Sequence, residues 1–204
     1  MATKAFDSYI EHLSADKRLR PALNCDAFTI KKKKNICLQL CASIMSQQLS
    51  TTVAKVIFNR FLDLFGGKEP TPQQILDIPF DKLRSIGLSN AKTNYVRNVA
   101  GYAIEHGMED KKLYKMTNEE VMEFLTPIKG VGKWTVEMML MFTLGREDVF
   151  AVDDLGIQQA MIKLYKLDPT DKKAMREKML KLSQKWSPYR TFACLHLWQY
   201  KDTP

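Results

Sequence analysis

Cysteine is scarce and scattered in this chain: four residues, Cys25, Cys37, Cys41 and Cys194, stand at no spacing that would staple a small secreted scaffold. A disulfide framework is therefore excluded, and Cys37 and Cys41, four apart on one helix, read as core. Long apolar runs are missing as well, and no leader pattern is read at the N-terminus. The expectation is an intracellular protein with no membrane partner, in the cytoplasm of a prokaryote or the nucleus of a eukaryote. Convincing strand alternation is also lacking, whereas apolar residues recur at helical spacing, which predicts an all-α fold. Acid is the scarcer charge, with 23 Asp and Glu against 31 Lys and Arg, a formal +8. That balance favours polyanionic partners through counterion release without proving one. With 204 residues, 45% of them hydrophobic, the chain can bury a substantial core in one or two helical lobes.

What the chain does have is concentrated between Thr126 and Ile157. Thr117 to Leu125 reads as a short helix opened by a Thr117/Glu120 capping box and stopped by Pro127. Ile128-Lys129-Gly130-Val131-Gly132 then leaves room only for a tight hairpin before a helix that starts at about Lys133. Two glycines let backbone N–H groups approach a ligand closely. The helix N-terminus favours an anion, and Lys129 and Lys133 add positive charge, so a phosphate fits there. A dinucleotide-binding loop is rejected by context, because a helix rather than a strand precedes and Thr135 occupies the place of the third glycine. The bland reading is a glycine-rich connection between packed helices.

The helix from Lys133 to Leu144 is apolar nearly all round, which predicts burial. Gly145 ends it. The run Val149 to Val152 then leads into Asp153-Asp154, and Ile157, Met161, Leu164 and Tyr165 recur at helical spacing. The acidic pair therefore sits at a helix N-terminus. One Asp there is accounted for as an N-cap, and the second is left over.

Elsewhere, Leu83 to Ser89 looks like a weaker hairpin before a helix from Asn90 to His106. Its L-x-x-I-G echoes Leu125-x-x-Ile128-x-Gly130. Thr71-Pro72-Gln73-Gln74 is a second capping box with Pro at the first helical position, and Ser187-Pro188 is expected to open the last helix in the same manner. The Lys31 to Lys34 run reads as a charged loop before a helix. Trp186 reads as core.

Together these motifs resemble those of the helix-hairpin-helix (HhH-GPD) DNA glycosylases, nearest in pattern to the branch that acts on 3-methyladenine. The resemblance implies two helical lobes, residues 44–155 against residues 1–43 with 156–204, and an active site in the cleft between them. It selects Asp154 over Asp153 as the essential carboxylate, because that residue stands three before the core Ile157. Strand-cleaving relatives carry a nucleophilic lysine two places after the second hairpin glycine. Trp134 stands there, which implies a monofunctional enzyme that uses water.

By the same resemblance Trp134, Met138, Trp198 and Asp153 line a pocket for the base, Met138 replacing an aromatic. Gly130, Val131, Gly132, Lys129, Lys133, Thr135 and Lys92 grip DNA, while the block Ile44 to Ser50 inserts Gln48, flanked by Gln47 and Leu49, where the base has left. At the weaker hairpin Lys92 and Arg97 read either as phosphate contacts or as solvated surface charge. No cofactor is required; a structural monovalent cation is expected on the carbonyls of Thr126, Ile128 and Val131, and the four-cysteine cluster of iron–sulfur relatives is missing. The implied partner is duplex DNA carrying alkylated purines such as 3-methyladenine or 7-methylguanine, bound by a monomer. Two rivals stay open: the same chemistry on an oxidised or mismatched base, and a non-catalytic DNA-binding module in which Asp154 is only a cap.

Overall fold

A computed structural model describes residues 2–23 and 28–201, with side chains from residue 8 onward; Cys25 lies outside the described residues. Among them there is no strand. The α-helices are α1 (Ala2–Ser14), α2 (Ile36–Ser46), α3 (Thr51–Asp63), α4 (Pro72–Asp77), α5 (Phe80–Arg84), α6 (Asn90–His106), α7 (Asp110–Lys115), α8 (Asn118–Leu125), α9 (Lys133–Phe142), α10 (Leu155–Tyr165), α11 (Lys172–Ser183) and α12 (Arg190–Lys201). Short 3₁₀ turns lie at Arg20–Ala22 and Gln184–Trp186. No described helix is long and apolar enough to cross a membrane.

The helix starts follow local chemistry. Thr71 with Gln74 and Thr117 with Glu120 form the two reciprocal capping boxes the sequence predicts. Ser50, Ser89 and Asp171 each accept a first-turn amide of the helix that follows. The last helix departs from expectation and begins at Arg190, two residues beyond Pro188. The Ser187 hydroxyl is committed elsewhere, donating to Asp148 Oδ2 at 2.8 Å, and Arg190 pairs with the same carboxylate.

The chain divides into two compact units, residues 1–31 with 145–204, and residues 32–144. These boundaries differ from the 43/44 and 155/156 divisions read from the sequence. α2 belongs wholly to the second unit, where it packs on α3, α6 and α9. The segment after Gly145 is tied to α12: Thr191 donates through Oγ1 to Arg146 O and accepts there from Val149 N, beside the Asp148–Arg190 pair.

In the first unit α10 packs on α12, and the Tyr9 and Phe192 rings stack at 4.2 Å. Trp186 is fully buried, as expected, and its indole donates to the buried Asp16, which also accepts from Tyr165 at 2.6 Å and pairs with Lys185 at 2.8 Å. Burial alone would raise the Asp16 carboxyl, but these donors outweigh it and hold its pKa below the ordinary value.

In the second unit α2 is the central helix. Asp110 accepts the amides of Asn35 and Ile36, both at 2.9 Å, closing the N-terminus of α2. The lysine run ahead of it is held too: Lys33 N donates to Thr143 O, Tyr114 donates to Lys33 O, and Lys32 lies over the Tyr114 ring. Cys37 and Cys41 are buried, as read.

Candidate DNA and base-binding sites

The hairpin forms where the spacing places it. Leu125 and Ile128 are buried beneath it, and Val131 N donates to Ile128 O at 2.9 Å to close the turn. Gly130 takes φ +103, and a Cβ there would lie 2.2 Å from Cγ of Tyr95, so only glycine lets the turn sit against that ring. Tyr95 is a supporting residue that no local signal reveals. Gly132 is the N-cap of α9 and offers no side-chain cap, and a Cβ at this position would meet nothing within 4 Å. The backbone at this helix start is thus open to a close-approaching anion, with Lys129 and Lys133 both exposed beside it. Lys133 Nζ also stands 3.7 Å from Glu137, a buried carboxylate one turn along that the sequence reading missed.

The hairpin residues expected to touch DNA therefore divide. Gly132, Lys129 and Lys133 present outward, while the Val131 and Thr135 side chains turn inward. Thr135 Oγ1 accepts from Gln47 Nε2 at 3.2 Å, linking α9 to the loop between α2 and α3. In that loop Gln48 and Leu49 are exposed at the tip, Gln48 with a left-handed φ of 59. Ser50 then caps α3.

Lys92 does not face outward for a phosphate. Its ammonium donates to Met45 O at 3.0 Å and Gln47 O at 2.5 Å. Arg97 likewise donates to Ile78 O. The sequence leaves both to phosphate or to solvent, but folding gives them carbonyl partners, Lys92 from the first turn of α6 and Arg97 from its middle.

The helix α9 is less buried than its apolar composition predicts. Trp134 and Phe142 are each 40% exposed, and with the half-buried Met138 they form a stripe at i, i+4 and i+8. The stripe lines a cavity of about 600 Å³ whose other walls include Phe58, Ala54 and Lys55 of α3 and Gln39, Ala42 and Ser43 of α2. The cavity lies within the second unit, and its apolar side chains from α9 and α3 stand among polar ones such as Gln39, Ser43 and Lys55, the mixed lining of a small-molecule site. Phe58 and Phe142 were missed because an apolar residue at helical spacing reads as core.

Asp154 and Asp153 separate in the first unit. Asp154 is the N-cap of α10, and its Oδ1 accepts both the Ile157 amide at 2.9 Å and the Trp198 indole N–H at 2.7 Å. The cap and the candidate catalyst are thus one residue, rather than the two the sequence suggested. Gly156 makes this possible, since a Cβ there would stand 3.0 Å from Trp198 Cδ1 and 3.2 Å from Asp154 Oδ1, closer than side chains ordinarily pack. The half-buried carboxylate is therefore fixed in direction by a backbone amide and an indole. Asp153, expected beside the base, is exposed and turned to Arg176, which grips it at 2.7 and 3.1 Å.

Among the described residues no group of three or more His, Cys, Asp or Glu could hold a metal. The hairpin backbone offers a different donor set, neutral carbonyl oxygens; Ile128 O already accepts the Val131 amide, and Lys129 O accepts Asn98 Nδ2.

HhH-GPD superfamily base excision DNA repair proteins match residues 41–185 of this chain. DNA-3-methyladenine glycosylase 1 of Schizosaccharomyces pombe is 38% identical over 170 residues, covering 82% of this chain and 73% of the relative. DNA-3-methyladenine glycosylase of Saccharomyces cerevisiae is 31% identical, covering 97% of this chain and 80% of its own. Among solved structures, the S. pombe 3-methyladenine DNA glycosylase Mag1 in complex with abasic DNA is similar with a TM-score of 0.82 at 34% identity, covering 97% of this chain and 100% of that one. DNA-3-methyladenine glycosidase of Bacillus halodurans gives 0.81 at 33% identity, covering 96% and 89%.

Proposed function

The chain belongs to the HhH-GPD superfamily of base excision DNA repair proteins, and from that premise we propose that it is a monofunctional DNA glycosylase that removes alkylated purines from duplex DNA. The observation that carries this reading is the oriented carboxylate of Asp154, held at a helix N-terminus by Ile157 N and the Trp198 indole. The names of the 3-methyladenine glycosylases to which the chain is similar support the substrate class.

The chemistry follows from charge. Breakage of the C1′–N bond sends its electron pair into the purine, cancelling the positive charge of a 3-methyladenine or 7-methylguanine, and leaves the deoxyribose cationic. Asp154 stabilises that cation by electrostatics and orients the water whose oxygen bonds to C1′; the water's proton passes to the carboxylate or to solvent. An alkylated purine already carries the charge that makes it a good leaving group, so the chain needs no strong acid against the base.

Trp134 stands where a strand-cleaving enzyme needs an amine, and an indole forms no Schiff base. Its partly exposed ring, with Met138 and Phe142, offers an apolar face to a flipped base, and a cation–π contact there contributes about 0.5–2 kcal/mol. Trp198 serves Asp154 as a hydrogen-bond donor as well as presenting an aromatic face. DNA is gripped through Gly132, Lys129 and Lys133, and Gln48, flanked by Leu49, fills the gap. A monovalent cation on the carbonyls of Thr126, Ile128 and Val131 would add positive charge beside a phosphate, a role that neutral oxygen donors suit. The enzyme acts as a monomer.

Release of free base from methylated duplex DNA tests the proposal. Release of 3-methyladenine or 7-methylguanine is expected, with strand breaks only after alkali. Breaks before alkali would overturn the monofunctional assignment, and release confined to oxidised or mismatched bases would overturn the substrate. Because Asp154 is also a cap, a binding module without catalysis is the second reading; silence on every lesion would favour it.

A further inference from the structure

Gln48 holds a backbone conformation that a non-glycine residue seldom adopts, with φ 59 at an exposed loop tip. Such a residue persists in the left-handed region only where its surroundings impose it. The surroundings that do so reach in from two other helices. From the first turn of α6, Lys92 Nζ donates to Met45 O and Gln47 O, at 3.0 and 2.5 Å, gripping the last turn of α2 and the residue immediately before Gln48. From α9, Thr135 Oγ1 takes the Gln47 amide at 3.2 Å. Leu49 N closes the turn on Ser46 O. The ammonium is half-buried, and burial lowers its pKa, as expected of a charge drawn partly out of water.

We infer that Lys92 is a positioning residue for base extrusion: its ammonium clamps the two carbonyls that lead into the turn and so presents Gln48 ready for insertion, instead of binding a phosphate. The inference rests on the reading of Gln48 as the residue that fills the gap. A clamped loop has lost its freedom before DNA arrives, so insertion carries a smaller ordering cost. Without the clamp, Met45 O and Gln47 O turn to water and Gln48 relaxes toward negative φ.

The test compares two duplexes of one sequence, intact or with a single abasic-site analogue, bound by the full chain over a series of salt concentrations. Wild type is expected to prefer the abasic duplex. Lys92→Met keeps the aliphatic stem and removes the donors; it is expected to cut that preference about tenfold. Affinity for the intact duplex and its salt slope should stay as they were. A phosphate contact predicts the opposite, proportional weakening on both duplexes with a slope shallower by about one, and that result would overturn the inference, as would an unaltered preference.

Gln48 is exposed, so Gln48→Ala reports the inserting residue independently of any loss of stability in Lys92→Met. In the Gln48→Ala background Lys92→Met is expected to change the preference no further, and an additive loss would count against a clamp acting through Gln48. A wild-type protein with no preference for the abasic duplex would sink the glycosylase reading of the loop together with this inference. A normal wild-type preference that survives Lys92→Met sinks the inference alone.

Discussion

Two chain reversals in the second unit are built on one plan and finished differently. Ahead of α6, Leu83 and Ile86 are buried and Gly87 turns the chain at φ +111; ahead of α9, Leu125 and Ile128 are buried and Gly130 turns it at φ +103. The first turn is sealed: Ser89 accepts the Lys92 amide and caps the helix. The second ends in Gly132, with no side-chain cap and open space where a Cβ would be. The sealed start adds stability, whereas the open one gives some up and leaves its backbone to an outside anion. The glycines differ as well, since a Cβ on Gly87 would meet Ile57 at an ordinary 3.6 Å but one on Gly130 would penetrate the Tyr95 ring. A third helix start, that of α10, combines the two solutions by using the proposed catalyst as the cap.

The largest effect is expected at that third start. Asparagine caps about as well as aspartate, so Asp154→Asn should slow base release about 10²–10⁴-fold while changing unfolding free energy by less than ~1 kcal/mol. Excision rates and urea denaturation, measured together, check this, and an active Asp154→Asn would reduce Asp154 to a cap. Asp153→Asn loses only an exposed pair with Arg176 and should cost at most ~1 kcal/mol, with release still in place.

The glycines come next. Gly130→Ala should destabilise by about 3 kcal/mol or more, from left-handed strain added to the overlap with Tyr95, whereas Gly87→Ala should cost about 1–2 kcal/mol, from strain alone. Equal losses in denaturant titrations would erase the distinction between the two turns.

Closing the open start is a gentler probe. Gly132→Asp supplies the missing cap and a favourable charge at the helix N-terminus, so the protein should gain ~0.5–1 kcal/mol while its affinity for undamaged duplex falls roughly tenfold. Stability and binding that move in the same direction would show that no phosphate sits there. The smallest effect should come from Ser89→Ala, which opens the sealed start. It is expected to lose ~1 kcal/mol of stability with duplex affinity within about twofold, and a marked binding loss would give the first hairpin a role in DNA contact.

The parts legible in the sequence are those whose causes are local. Both capping boxes, the bounds of α6 and the start of α9 follow from signals within three or four residues, because a cap or a terminating turn acts on the amides next to it. The last helix was misplaced by the same logic, since the Ser187 hydroxyl that looked like a cap is claimed by Asp148, 39 residues away in sequence. α9 shows another limit. An apolar run around a whole helix predicts burial, yet Trp134 and Phe142 line a cavity instead. Apolar character says that a face prefers not to meet water, and a core and a pocket wall satisfy that preference alike.

What the sequence determined by itself is the helical class, the hairpin with its two glycines, the acidic pair at a helix start and an indole two places after the second glycine. Each is a matter of residue type and short spacing. Tertiary structure decided the partners: Asp154 to Trp198 and Asp153 to Arg176, Gly130 to Tyr95, and Lys92 to the carbonyls beside Gln48. A charge or a donor is written in the residue, but its choice between water, phosphate and a carbonyl is made through space by whichever group folding brings within about 3 Å.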